Sequence, residues 1–138
     1  MSAAAAVVQA ALVAALAADS RIAAAVSGVH DGPPARAAFP YVAIDGGTTS
    51  DWSVKDASGR EHRIAITIWD DGRSPARLHG LMAAAEEAIE AMDEDLDGHR
   101  IASILFVRGR VVRDAAGPWA GMIEYRVRTL ATERAAST

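Results

Sequence analysis

Two long segments near the C-terminal end of the chain constrain its fold most, because both have the residue pattern of β-strands. In residues 118–132, apolar side chains such as Ile123 and Tyr125 alternate with charged ones such as Glu124. Residues 100–113 begin with a run that is apolar at successive positions, which favours a central place in a sheet, and then turn basic. Residues 114–117 supply a turn between them. The pattern therefore predicts a long antiparallel hairpin.

Shorter segments earlier in the chain are predicted to complete the sheet. Residues 60–69 alternate regularly between apolar and polar side chains. Residues 40–45 indicate a short strand that begins with proline, where a missing N–H is tolerated, and the glycine pair that follows is expected to end it. Residues 50–55 indicate a second short strand. Residues 29–39 contain the run Asp-Gly-Pro-Pro and are predicted to form a loop.

Helices are predicted in two main places. Residues 2–18 are rich in alanine, with Ser2 as a possible N-cap, and Asp19 with Ser20 can cap a short second helix. Ser74 and Pro75 mark the start of the other main helix, since a cap followed by a proline in the first turn is a strong start signal. This helix has an apolar stripe with a period of 3.6 residues, made of Leu78, Leu81, Met82, Ala85, Ile89 and Met92.

The order of these elements predicts an α+β fold. Strands follow one another without alternating strand–helix–strand crossovers, so the expected architecture is an antiparallel sheet with the two main helices packed on one face. Neither an internal repeat nor a linker divides the chain, so residues 1–138 are expected to form one domain.

The predicted hairpin is long compared with a compact chain of this size. A strand of fourteen residues reaches roughly 46 Å, whereas a compact domain of this length is about 37 Å across. The hairpin is therefore expected to overhang the rest of the protein and to need a partner, because a two-stranded ribbon is not stable alone.

Composition excludes several classes of function. The chain has no cysteine, which removes disulfides, thiol catalysis and cysteine-ligated zinc. Its net charge of −4 argues against general binding of polyanions. The chain contains no run of 18 apolar residues, so a membrane-spanning helix is not predicted. No nucleophile turn, phosphate-binding loop or spaced histidine pair is present, so an enzyme and a bound cofactor are not expected.

Residues 93–98 offer the strongest candidate for a metal site. Asp93, Asp95, Asp97 and the glycine after them match the start of an EF-hand calcium loop. The twelfth position, which should supply a bidentate glutamate, is Ile104, and a strand rather than a helix is predicted there. A solvated turn is the favoured interpretation, and metal ligands are not assigned.

Charge is distributed unevenly along the chain. Residues 60–99 carry 4 basic and 10 acidic groups, whereas residues 100–138 carry 7 basic and 3 acidic groups. A contact between identical subunits arranged head to tail needs two different, complementary surfaces, which such a division could supply. Two solvated faces without a partner are the alternative. The predicted interface residues are Arg108, Arg110, Arg126, Arg128, Glu87, Glu90, Glu94 and Trp119.

Read from end to end, the chain resembles the tail-completion or tail-terminator family of long-tailed phages, prophages and gene transfer agents. The resemblance lies in the order and spacing of short segments over nearly the whole chain. These segments are Asp19-Ser20-Arg21-Ile22, Val29-His30-Asp31 with Pro33-Pro34, Phe39-Pro40-Tyr41-Val42-Ala43-Ile44, Asp51-Trp52, the strand ending in Ile68-Trp69-Asp70, the helix after Ser74, Arg113-Asp114, and Glu124-Tyr125-Arg126.

The resemblance implies a structural protein without catalytic residues. It implies a ring, usually of six subunits, that caps the head-proximal end of the tail tube and joins it to the head connector or stopper protein. DNA would pass through the ring without sequence-specific binding, and assembly would take place in the bacterial cytoplasm. The alternative is a small calcium- or ligand-binding α+β module with no catalytic activity, which would show a metal-dependent change in melting temperature.

Overall fold

The fold, taken from a computed structural model, is described for residues 3–113 and 115–132. Three helices and six strands occur in this part of the chain. The helices are α1 (Ala4–Ala18), α2 (Ser20–Ala25) and α3 (Ala76–Glu90). The strands are β1 (Val29–Asp31), β2 (Tyr41–Asp51), β3 (Gly59–Asp70), β4 (Asp95–Leu96), β5 (His99–Arg113) and β6 (Trp119–Ala131).

Helix α1 forms where the alanine-rich segment predicts it. One stripe is buried against the sheet and includes Val8, Leu12 and Leu16. The chain then turns at Asp19, whose carboxylate accepts hydrogen bonds from the backbone N–H groups of Arg21 and Ile22, at 2.9 and 3.1 Å. The predicted cap of α2 is therefore confirmed. The predicted cap of α1, Ser2, lies outside the described residues.

The sheet is mixed rather than wholly antiparallel, in the order β1-β2-β3-β6-β5-β4. Strand β1 runs parallel to β2, pairing Val29 with Val42 and Asp31 with Ile44. The prediction of a loop over residues 29–39 is wrong for the first three of them. The chain leaves β1 and returns through residues 32–40 to the same end of the sheet, which makes the pairing parallel.

Strand β2 continues through the glycine pair that was expected to end it. Its pairing with β3 shifts register between Asp45 and Thr48, and the strand then runs on to Asp51. Gly46 and Gly47 lie in this irregularity, where they have no partner on β3, and the pairing of the two strands resumes after them, as at a β-bulge. The predicted break, and the separate strand over residues 50–55, are therefore wrong.

Helix α3 buries the predicted apolar stripe from Leu78 to Ile89 against the sheet, whereas Met92, its last predicted member, lies two residues beyond the helix and is half-buried. It begins at Ala76, one residue later than predicted, while Ser74 Oγ accepts a hydrogen bond of 3.4 Å from the Ala76 N–H. The helix packs closely on β6 at Gly121, where an added Cβ would lie 2.6 Å from Met82 Sδ. A glycine is needed there to let the helix approach the strand.

The C-terminal hairpin formed by β5 and β6 is confirmed, but it is not an unsupported ribbon. Strand β6 pairs with β3 along almost its whole length, from Gly59 opposite Leu130 to Asp70 opposite Trp119. The predicted overhang is therefore wrong. The reason is the length of β3, which has 12 residues and so supports the hairpin as a third strand.

The two main helices cover one face of the sheet, as predicted. A single cluster of buried side chains joins α1, α2 and α3 to the inner face of β2, β3 and β6. The fold is thus α+β, with one core and one helix layer. Within the described residues, none of the helices has both the length and the apolar character required to cross a membrane.

Candidate functional site

The face of the sheet opposite the helices, here called the open face, carries most of the polar side chains of the long strands. Because strand residues alternate between faces, Arg63 and Thr67 project there while Ile64 and Ile66 project into the core. No helix of the described chain covers the open face. This face is therefore available to a partner over most of three strands.

The four arginines predicted from the sequence lie together on the open face. Register places Arg108 opposite Glu124 and Arg110 opposite Met122, and it sets Arg126 and Arg128 on the same face of the neighbouring strand. The pairing of β5 with β6 shifts register at two places. After these shifts, the arginines of β5 project from the same face of the sheet as those of β6. The structure thus brings the basic half of the predicted interface onto one surface.

Some of this positive charge is already neutralised within the chain. Glu124 accepts a hydrogen bond of 2.8 Å from Arg108 Nε and lies 3.4 Å from Arg63 Nη1. The Arg108 guanidinium is the main cause that lowers the pKa of Glu124 below its ordinary value. Arg110 and Arg126 form no ion pair with any residue between 3 and 132 that the structure describes. Their positive charge is therefore not neutralised by an ion pair within the described residues.

Arg128 is the most firmly held of the four arginines. Its Nε donates a hydrogen bond of 2.9 Å to Glu61 Oε1, and its guanidinium lies 5.0 Å from the centre of the Trp52 ring. This contact lowers the pKa of the Glu61 carboxyl. The ion pair therefore connects β6, which carries Arg128, to β3, which carries Glu61, on the open face.

The acidic half of the predicted interface lies on another surface. Glu87 and Glu90 belong to α3, on the helix layer, and Glu94 follows in the turn before β4. Glu87 forms an ion pair of 2.8 Å with Arg21, and Glu90 accepts a hydrogen bond of 2.9 Å from the Tyr125 hydroxyl. The structure does not bring the basic and acidic groups together within one chain. They occupy two distinct surfaces, as a head-to-tail contact requires.

Trp119, the one apolar residue among the predicted interface residues, takes part in the fold itself. Its Nε1 donates a hydrogen bond of 3.0 Å to the Gly72 carbonyl, and the Arg113 guanidinium lies 4.9 Å from the ring centre. The side chain is half-buried beside the start of α3. Its place in an interface stays a prediction.

Sequence reasoning missed the free edge of β5. The apolar run in this strand was predicted to mark a central position, but only the two-residue strand β4 lies beyond it in the sheet. Leu105, Phe106 and Val112 are 47%, 41% and 38% exposed, so three large apolar side chains of one strand face solvent. The run itself gave no signal of an edge, because a strand that is apolar on both faces is typical of a central position.

The aspartates at residues 93–97 form a turn. Asp93 Oδ1 accepts a hydrogen bond of 3.0 Å from the Asp95 backbone N–H, and β4 then pairs antiparallel with the start of β5. Over residues 3–113 and 115–132, no group of three or more histidine, aspartate or glutamate side chains converges as a metal site would need.

His62 is the most buried of the histidines and links three strands. Its Nδ1 lies 3.0 Å from Thr49 Oγ1 on β2, and its Nε2 lies 3.0 Å from Thr129 Oγ1 on β6. Burial, with lesser contributions from His99 and Arg60, lowers the pKa of His62 below 6.5. The neutral ring therefore serves as a hydrogen-bonded bridge inside the sheet rather than as an exposed ligand.

Comparison with known proteins places this fold among phage tail components. The family described as Tail completion protein gp17 matches residues 10–130 of the chain. The chain belongs to the tail completion protein family. The matched region begins within α1 and runs to the last residue but one of β6, so it includes the open face and the free edge of β5. The predicted family and the predicted structural role in tail completion are thereby confirmed.

Two solved structures have the same fold as this tail completion protein. A chain from the virion of a native gene transfer agent particle is 28% identical, with a TM-score of 0.74, over 94% of this chain and 100% of that one. The bacteriophage SPP1 gp17 protein is 18% identical, with a TM-score of 0.62, over 96% of this chain and 94% of that one. No curated protein sequence matches the chain.

Proposed function

We propose that this tail completion protein forms a closed ring, a hexamer, at the head-proximal end of the tail tube. The whole chain, residues 1–138, serves as one tail-terminator domain. In the ring it joins the tube protein on one side to the head connector or stopper protein on the other. The observation that carries the proposal is the family match over residues 10–130, which includes at least part of every helix and strand of the described fold.

The dimensions of the chain support a ring of this size. A compact chain of 138 residues is about 37 Å across, so one copy cannot surround a DNA duplex. Six copies in a ring leave a central hole of roughly the same width, before side chains and loops narrow it. DNA passes through this hole without sequence-specific contacts, and the protein catalyses no reaction.

The separation of charge supports contacts between successive copies. The arginines of the open face are presented on one surface, and the acidic α3 with the turn after it on another. Exposed ion pairs are worth only about 0.2–1 kcal/mol each, so these charges chiefly select the partner and the register. Apolar side chains near the hairpin supply the larger part of the binding energy.

Removing the protein from particle-producing cells tests the role. We expect heads and tails to accumulate unjoined, with tail tubes of irregular length, during assembly in the cytoplasm. Expression of the wild-type chain in the same cells should restore joined particles. Joined particles with tails of normal length in cells that lack the chain would contradict the proposal.

Charge reversal tests the basic surface. Arg110→Glu changes an exposed arginine without an ion pair in the described chain, so the isolated protein should stay folded while its incorporation into tails falls. Arg36→Glu is the matched control, because Arg36 is also exposed and lies in the loop after β1, the strand at the other edge of the sheet. Equal incorporation of the two variants would show that the basic surface is not a contact surface.

A compensating pair of changes tests the predicted acidic partner surface. Arg126→Glu with Arg128→Glu should block incorporation, and Glu87→Arg with Glu90→Arg in the same chain should restore it if these surfaces meet. The four single variants measured as isolated proteins provide the stability control, since Arg128 and Glu90 also make contacts within the chain. Failure of the fourfold variant to assemble, with all four singles folded, would contradict this pairing.

A further inference from the structure

The sheet of this protein ends in a long edge that is largely unpaired within the described residues. In the described residues, β4 covers only the first two residues of β5, and no strand pairs with the outer side of residues 102–113. Natural edge strands are commonly kept short or interrupted by proline or lysine. This segment has neither residue and exposes Leu105, Phe106 and Val112.

Hydrogen bonds at the end of β6 show which backbone groups of β5 face outward. The Ala131 N–H donates to Ser58 on the β3 side, and the Thr132 N–H donates to Gly98 on the β5 side. Since successive strand residues point in opposite directions, even-numbered residues of β6 bond to β5. Their partners include Arg108, Arg110 and Val112, so Gly109, Val111 and Arg113 direct their N–H and C=O groups outward.

The opposite edge of the same sheet is also partly free. Strand β1 pairs only with residues 42–44 of β2, and residues 46–51 are exposed. The Trp52 N–H donates to the Gly59 carbonyl on the β3 side, so the backbone groups of Asp51 and Thr49 face outward. The side chains of these outward-facing residues lie on the helix side of the sheet, as does that of Val111 in β5.

The two edges carry opposite charge. Residues 102–113 contain three arginines and no acidic residue. Strands β1 and β2 contain Asp31, Asp45 and Asp51 and no lysine or arginine. A contact between the two edges is heterologous, because one copy contributes β5 and the next contributes β2. Such a contact can repeat around a ring.

We propose that the outer edge of β5 receives residues 46–51 of β2 from the next copy of this chain, so that the sheets of neighbouring subunits join edge to edge. The inference rests on the proposed ring. It places the helix layers of neighbouring copies on the same side of the joined sheets, so it is an alternative to a contact between the open-face arginines and α3, and the fourfold charge variant distinguishes the two contacts. Backbone hydrogen bonds supply the contact, and the opposite net charge of the two edges favours it. A strand from the tube protein on the same edge is the competing outcome of the test.

A proline in β5 tests the edge without breaking the hairpin. Gly109→Pro removes an outward N–H while the bonds to β6 stay intact. Gly109→Ala is the matched control, because a Cβ there would meet no atom closer than 3.4 Å and the N–H is kept. We expect both isolated variants to stay folded, and incorporation of the proline variant into tails to fall by about tenfold or more, the effect of one lost hydrogen bond at each contact.

Engineered disulfides identify the neighbour and remain decisive if the proline variant fails to fold. The natural chain has no cysteine, so every disulfide reports an engineered position. Asp51→Cys is combined in turn with Gly109→Cys and with Val111→Cys, since residues that face each other across an antiparallel pair lie close enough to bridge. Oxidised particles should yield a ladder of linked copies up to the complete ring. Asp51→Cys with Ala83→Cys, an exposed position on α3, is the control.

The outcomes separate this inference from the proposed ring. A ladder in either test pair and none in the control supports edge pairing between copies. Normal incorporation of the Gly109→Pro variant, with no ladder, overturns edge pairing while a ring seen in the same particles leaves the proposed function standing. A β5 cysteine that links to the tube protein also overturns it. Absence of a ring in wild-type particles contradicts the proposed function itself.

Discussion

A single methyl group at the bulge of β2 should distinguish two adjacent glycines. A Cβ added at Gly47 would overlap the backbone carbonyl oxygen of Arg63 on β3 and lie 2.8 Å from its carbonyl carbon. Two carbon atoms pack at about 3.5–4.0 Å, so the strands must separate by on the order of 1 Å. At Gly46, by contrast, nothing lies within 4 Å of the added atom.

The obstacle at Gly47 is backbone that other strands hold in place, so the cost should reach the upper part of the overpacking range, about 3 kcal/mol. For a chain of this length that free energy corresponds to a fall in melting temperature of roughly 10 °C. Circular dichroism of the two variants during heating gives the comparison. Gly47→Ala should melt well below Gly46→Ala, which should stay close to wild type. Equal melting temperatures for the two variants would refute the assigned bulge geometry.

Three further measurements address single side chains. The lowered pKa of His62 means that the unfolded chain binds a proton more readily than the folded one, so the free energy of unfolding should fall as pH drops below about 6.5. The fall should be smaller in His62→Gln, and an identical pH dependence in the wild type and this variant would contradict the prediction. Tyr125→Phe keeps the buried ring but loses the hydrogen bond to Glu90, so urea unfolding should show a loss of about 1 kcal/mol. Millimolar calcium should leave the melting temperature almost unchanged, whereas a ligand at 100 times its Kd would add about 2.7 kcal/mol; a rise abolished by Asp95→Ala would show a real calcium site.

The regular parts of the fold could be predicted because their signals are local. The stripe that includes Leu78 and Met82 repeats every 3.6 residues, and the alternation around Tyr125 repeats every two, so each element and its buried face follow from the sequence. The cap at Asp19 is local as well, since its carboxylate bonds backbone groups two and three residues later.

The errors concern pairings that depend on distant residues. Gly47 follows an apolar run, and a glycine there commonly ends a strand, but the close approach of Arg63 on β3 makes a glycine necessary within the bulge. The apolar run near Phe106 suggested a central strand. Whether the strand is central or at an edge depends on the strand beyond it, and here β4 pairs with only its first two residues. The sequence of the run does not specify the length of β4.

The candidate site was predictable in its residue types and not in its geometry. The charge of the hairpin is visible in the sequence, and alternation places Arg126 and Arg128 on one face. Their different roles are not visible, because Glu61, which engages Arg128, lies 67 positions away. Long-range pairings of this kind determine which charges are satisfied within the chain and which are left for a partner.

Electron microscopy of intact particles at the junction between head and tail tests the central claim most directly. The density at the head-proximal end of the tube should show a closed ring of six copies of this fold, with each sheet meeting the next at β5. Particles that carry an affinity tag on this chain identify the ring as its own. A ring built from other proteins at that position, or tagged protein found elsewhere in the particle, would contradict the account.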